Sequence, residues 1–137
     1  MSIGGDLVPF FLQVDAPSKI FAFVKSWLPS RARAVRELPP GYSSADGGVV
    51  VLVDGDGTPG SGVATSRENV RVAVFGGTQQ QVRRLASEIE ARLLAHEATI
   101  GFHITPGAGL VVSRDKETKG WVAAITVICR STKKGIF

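Results

Sequence analysis

Residues 69–93 read NVRVAVFGGTQQQVRRLASEIEARL and pass from one structural period to another within a single run. In 69–75, Val70, Val72 and Val74 alternate with Arg71, Ala73 and Phe75, the two-residue period of a strand. Two glycines interrupt it, and Thr78 with Gln81 three positions on forms a capping box. Val82, Leu85, Ile89 and Leu93 then recur at spacings of three and four, while Arg84, Glu88 and Arg92 mark the opposite side. The spacing predicts a helix over residues 79–96. Its four apolar residues should be nearly fully buried and its three charged ones exposed.

Before this run, residues 48–53 (GVVVLV) form a continuous β-branched stretch, the texture of a strand covered on both faces. The turn formers of residues 54–62 (DGDGTPGSG) join it to the 69–75 strand as a hairpin. Further upstream, Asp15 and Pro17 suit the start of a helix whose stripe is Ile20, Val24, Trp27 and Leu28, with Phe21 beside it. Pro29 ends that helix, and Phe23, off the stripe, implies a second contact. A short strand is expected over 34–38, closed by the turn Pro39-Pro40-Gly41. Downstream, strands at 110–113 and 121–130 make a hairpin around residues 115–120 (DKETKG), with Trp121, Ala123, Ile125, Val127 and Cys129 on one face. The order α-β-β-β-α-β-β describes a single α+β domain, a mostly antiparallel sheet with two helices packed on one face. Its span is 15–130. Residues 1–14, apolar but broken by Pro9, read as an arm or edge strand, and 131–137 as a basic tail.

Composition narrows the function classes. At 137 residues, 44% of them hydrophobic, the chain has material for one core. Its one cysteine, Cys129, rules out an intrachain disulfide framework and any multi-cysteine zinc site, and His96 and His103 leave little for a histidine-built centre. No apolar run approaches the ~20 residues needed to span a bilayer, so no membrane partner is expected. The short apolar patch near the start has no basic residue before it, and export is not expected. A net charge of +4 is mildly basic without being a nucleic-acid signature.

Asp54-Gly55-Asp56-Gly57-Thr58 directly follows an apolar strand and resembles the first motif of haloacid-dehalogenase-type phosphatases. There the first aspartate attacks phosphorus, the second is acid and base, and magnesium is held between them. The later acidic pair that such a site needs has no counterpart at the end of an apolar strand here, and Pro59 stands where an apolar residue usually follows. A hairpin loop is the better reading. It is not a calcium loop, because the twelfth position is Thr65, nor a phosphate loop, because no G-K-[ST] is present. Cys129 falls on the buried side of its strand, so pairing with His103 for nucleophilic catalysis is disfavoured. His96 suits a helix C-terminus. The clusters Arg31/Arg33/Arg36 and Arg130/Lys133/Lys134 lack interleaved aromatics and read as solvated faces before nucleic-acid sites. No catalytic residue, cofactor or metal is expected.

The helix ending W-L-P (27–29), V-R-E-L-P-P-G-Y (35–42), the strand at 49–53, V-R-V-A-V-F-G-G-T (70–78) running into the helix of 80–93, and the closing W-V-A-A-I-T-V-I-C-R (121–130) resemble the tail-terminator proteins of long-tailed bacteriophages. The resemblance implies a structural protein, not an enzyme. It would be a virion component of the head–tail joint, made in the host cytoplasm. Copies would form a ring, a hexamer, that caps the tail tube and meets the head connector or stopper, with DNA passing close by in the lumen. The alternatives are a neighbouring joint or tail component, such as a connector stopper or tube subunit, or a small magnesium-dependent phosphatase using Asp54 and Asp56. The candidate subunit-interface residues are Phe10, Phe11, Leu12, Asp54, Asp56, Arg71, Arg130, Lys133, Lys134 and Phe137.

Overall fold

The computed structural model describes residues 16–29, 32–43, 48–55 and 67–130. Along the chain come α1 (Ala16–Trp27), β1 (Ala32–Val35), β2 (Val49–Gly55), β3 (Arg67–Gly76), α2 (Gln79–Ala95), a single-turn α3 (Glu97–Ile100), β4 (His103–Pro106), β5 (Val111–Asp115) and β6 (Gly120–Arg130). The six strands form one sheet in the order β1-β2-β3-β6-β4, with β5 beside β4 on the same flank of β6. Only β1 and β2 run parallel; every other pairing is antiparallel. This is the α+β domain that the two periodicities predict.

The alternation of β3 separates the two sides of the sheet. Val70, Val72 and Val74 are in register with Val127, Ile125 and Ala123 of β6, and Val72 and Val74 also with Val53 and Val51 of β2. This side is the main core, closed by Ile20 and Val24 of α1 and by Val82, Ala86, Ile89 and Leu93 of α2. The expected capping box is half realised: the Gln81 amide donates to Thr78 Oγ1 at 3.2 Å. A Cβ added at Gly76 would come within 3.0 Å of Val82 Cγ1, so a glycine here lets α2 start close against the sheet.

The α2 stripe differs by one position from the spacing argument. Ala86 is fully buried, whereas Leu85 is only half-buried at the edge of the core. Arg84 and Glu88 are exposed as expected, but Arg92 is half-buried. It pairs with Glu88 at 3.1 Å and lies 4.3 Å over the Trp27 ring. Phe23 makes the extra contact its position implied, 5.5 Å from the His96 ring, and His96 Nδ1 lies 2.9 Å from the carbonyl oxygen of Arg92.

Three further differences follow from tertiary pairing. The first strand runs from 32 to 35, not 34 to 38, because its partner Val49–Leu52 sets the register. β4 and α3 were not expected. β4 is only four residues long, and it exists because β6 is longer than β5 and leaves residues 127–130 to be paired. The β5–β6 turn places Lys119 at φ 62°, left-handed backbone that a side chain disfavours. Lys119→Gly should therefore raise stability by up to about 1 kcal/mol, read as a higher midpoint in thermal denaturation.

Candidate functional site

Both helices cover the same side, so among the described residues the second side of the sheet carries no helix. It has two ends. At one, Ala73, Phe75 and Ala124 form a small second core with Leu52 and Val122, shielded by Leu38 and Tyr42. Tyr42 stands edge-on to Phe75 with ring centroids 6.4 Å apart, and its hydroxyl donates to the Gly48 carbonyl at 2.6 Å. This explains why the GVVVLV strand is apolar throughout: Val49, Val51 and Val53 face the helices while Leu52 faces the Tyr42 cover.

The other end is polar. Asp54 and Arg71 are cross-strand partners on β2 and β3, Arg71 faces Thr126 on β6, and Arg67 faces Arg130. Asp54, Arg67, Arg71 and Arg130 are all exposed. Three interface candidates from separate parts of the sequence, Asp54, Arg71 and Arg130, thus stand on one surface. Phe10, Phe11, Leu12, Asp56, Lys133, Lys134 and Phe137 lie outside the described residues, as do the 1–14 arm and the 131–137 tail.

Two residues of this surface escaped the sequence reasoning. Arg67 continues the alternation of β3 four positions before Arg71, but the polar residues around it read as loop. Val111, 60% exposed, is the one large hydrophobic residue left so far open among the described residues. It sits on β5 at the sheet's flank, opposite Ala124. Its exposure depends on what packs nearby, and no local pattern reveals it.

The two flanks of the sheet differ in how they end. At β4, the Glu97 carboxylate accepts the Ile104 amide at 2.8 Å and lies 3.3 Å from His103 Nδ1, so a side chain occupies the donor a further strand would use. Among the described residues, β5 and the opposite flank strand β1 have no strand outside them.

The chemical candidates are dispersed. Asp54 accepts the amide of Gly55 at 2.8 Å on an antiparallel hairpin strand. Cys129 is fully buried on the helix side, in register with Ile104, and His103 occupies the alternate position facing Arg130. Cysteine and histidine therefore sit on opposite sides of the sheet. The sequence cluster Arg31/Arg33/Arg36 also divides, with Arg31 outside the described residues. Arg33 pairs in register with Val50, whereas the Arg36 guanidinium donates to the Val53 carbonyl at 3.1 Å and to Ser18 Oγ at 2.9 Å. No group of three or more metal-ligating side chains occurs among the described residues, and no described helix is long and apolar enough to cross a membrane.

Burial, reinforced by the charge of Glu68 beside it in register, pushes the Cys129 thiol up to about 12. An unfolded thiol ionises near ~8.5. Between those values the folded chain keeps a proton that the unfolded chain has lost, so this group lowers stability as pH rises through that window. Cys129 should resist iodoacetamide at mildly alkaline pH and react once denaturant is added. Rapid labelling of the folded protein would contradict its placement. Glu68 has a second task, accepting the Ala16 amide at 3.0 Å and so holding a carboxylate at the N-terminus of α1.

No protein-family model and no curated protein matches the chain.

Proposed function

We propose that the chain is a structural, ring-forming protein of the bacteriophage head–tail joint, most similar in organisation to tail terminators. The observation that carries this reading is an open sheet whose two flanks are unlike: β1 on one side, β4 and β5 on the other. A contact that joins one flank to the other is heterologous, and such contacts close into rings when the rotation between subunits allows. The side of the sheet opposite the helices gives each subunit a further surface beyond its two flanks. The segments that carry the resemblance support the reading as well, since residues 70–78 and 80–93 form the continuous unit from β3 into α2. In this reading the protein acts in the virion after assembly in the host cytoplasm, and its partners are its own copies, the tail-tube protein and the connector or stopper.

Sedimentation velocity with negative-stain imaging tests the proposal. Closed rings of uniform size, six-membered in the terminator reading, are the expected result. A stable monomer at micromolar concentration would overturn it. Magnesium-dependent phosphatase activity that disappears on Asp54→Asn would do the same, by returning the aspartate motif to the role its sequence resembles.

A further inference from the structure

The polar end of the open sheet surface contains an arrangement that folding by itself opposes. Arg67 on β3 is the direct cross-strand partner of Arg130 on β6, and Arg130 is in turn the partner of His103 on β4. Like charges directly opposite in a sheet destabilise it. Arg71 lies four residues along β3 from Arg67, hence about 13 Å away on the same side. Arg67, Arg71 and Arg130 are exposed, and none of their guanidinium groups forms an ion pair or hydrogen bond with another described residue. The acid nearest in register, Asp54, faces Arg71 and accepts the Gly55 amide.

We propose that this surface binds the phosphate backbone of nucleic acid through Arg67, Arg71 and Arg130. An acidic face on a second copy is the competing occupant, and the distribution of acids disfavours it. Glu68 accepts the Ala16 amide on the other side of the sheet, Glu97 is held by Ile104 and His103, Glu88 by Arg92, and Asp115 by Thr118 within its turn. Glu37, Glu90 and Glu117 lie apart from one another, after β1, on α2 and in the β5–β6 turn, so the described acids form no row to match three arginines. Recognition is of the backbone and not of bases, because the aromatics on this side, Tyr42 and Phe75, pack on each other at the opposite end. Binding is accordingly independent of base sequence and steeply dependent on salt. The inference rests on register and charge and does not require ring formation.

Fluorescence anisotropy of the full chain with a short labelled duplex DNA of mixed sequence, over a salt series, is the test. R67Q/R71Q/R130Q should weaken binding by at least about tenfold at low salt and flatten the log–log salt dependence by roughly 0.9 for each phosphate no longer neutralised. The same variant should melt within a few degrees of wild type, since relief of the Arg67–Arg130 repulsion offsets loss of the Arg71–Asp54 pairing, and so separates weakened binding from unfolding. K19Q/R83Q/R84Q removes equal charge from the exposed helix side and should stay within about twofold of wild type. Equal weakening by both variants, or no binding by the wild type, would overturn the proposal. So would polyglutamate competing as well as DNA at equal charge, which would transfer the surface to an acidic protein. V111K, designed to disturb subunit contact, should keep the arginine dependence, so failure of the ring reading and failure of this one are distinguishable.

Discussion

Ile89→Ala should lower the free energy of unfolding by ~2–5 kcal/mol, the cost of a large-to-small change where the surroundings collapse poorly. Ile89 is 0% exposed and lies in the core between α2 and the sheet. Its neighbours on the stripe, Val82, Ala86 and Leu93, are equally buried, so a cavity left there has rigid walls. Leu85→Ala should cost clearly less, about 1 kcal/mol, because a half-exposed side chain already keeps part of its surface in water. Urea denaturation of the two variants measures the difference directly. Equal losses would mean that α2 is rotated by about one residue relative to the sheet, as the leucine-centred spacing suggests.

In the proposed ring, Val111→Lys should separate the subunits while leaving the monomer folded. Val111 is exposed on a flank strand, where a hydrophobic side chain beside unpaired backbone favours pairing with another chain. A lysine at such a position is the usual means of blocking that pairing. Because the residue is already 60% exposed, the substitution removes little of the subunit's own packing. Loss of rings in sedimentation with an unchanged circular dichroism spectrum is the expected result. Rings that persist would place the subunit contact elsewhere, and an unfolded variant would show that Val111 packs within its own subunit.

The elements that the sequence revealed are those whose causes are local. The alternation of Val70, Val72 and Val74, the Thr78 cap and the spacing of Val82, Ile89 and Leu93 each depend on residues within one or two turns, and each stands in the structure as read. The displacement from Leu85 to Ala86 marks the limit of that logic. Both positions lie near the stripe, and side-chain size argues for leucine, but the packing of α2 against the sheet buries the alanine. The short strands were harder to read for a related reason. The four residues of β4 and of β1 are too few to show a period, and each is a strand only because a longer partner holds it.

The candidate surface was legible in part. Asp54, Arg71 and Arg130 could be named individually, because charged residues at a strand's end or on the polar side of its alternation are expected at a surface. That they share one surface follows from the pairings of β3 with β2 and β6, contacts between residues far apart in the chain, such as Asp54 with Arg71 and Arg67 with Arg130. The same pairings bring Arg67 against Arg130, place Cys129 and His103 on opposite sides, and join Glu68 to the first amide of α1.

The class of the fold, the buried side of each long element and the places where the chain turns are written in short stretches of residues, because periodicity and capping are short-range properties of the backbone. Strand order, the register that aligns like charges, and the side of the sheet that stays open arise only when the whole chain packs. Those choices depend on many weak long-range contacts satisfied at once, and no single residue carries them.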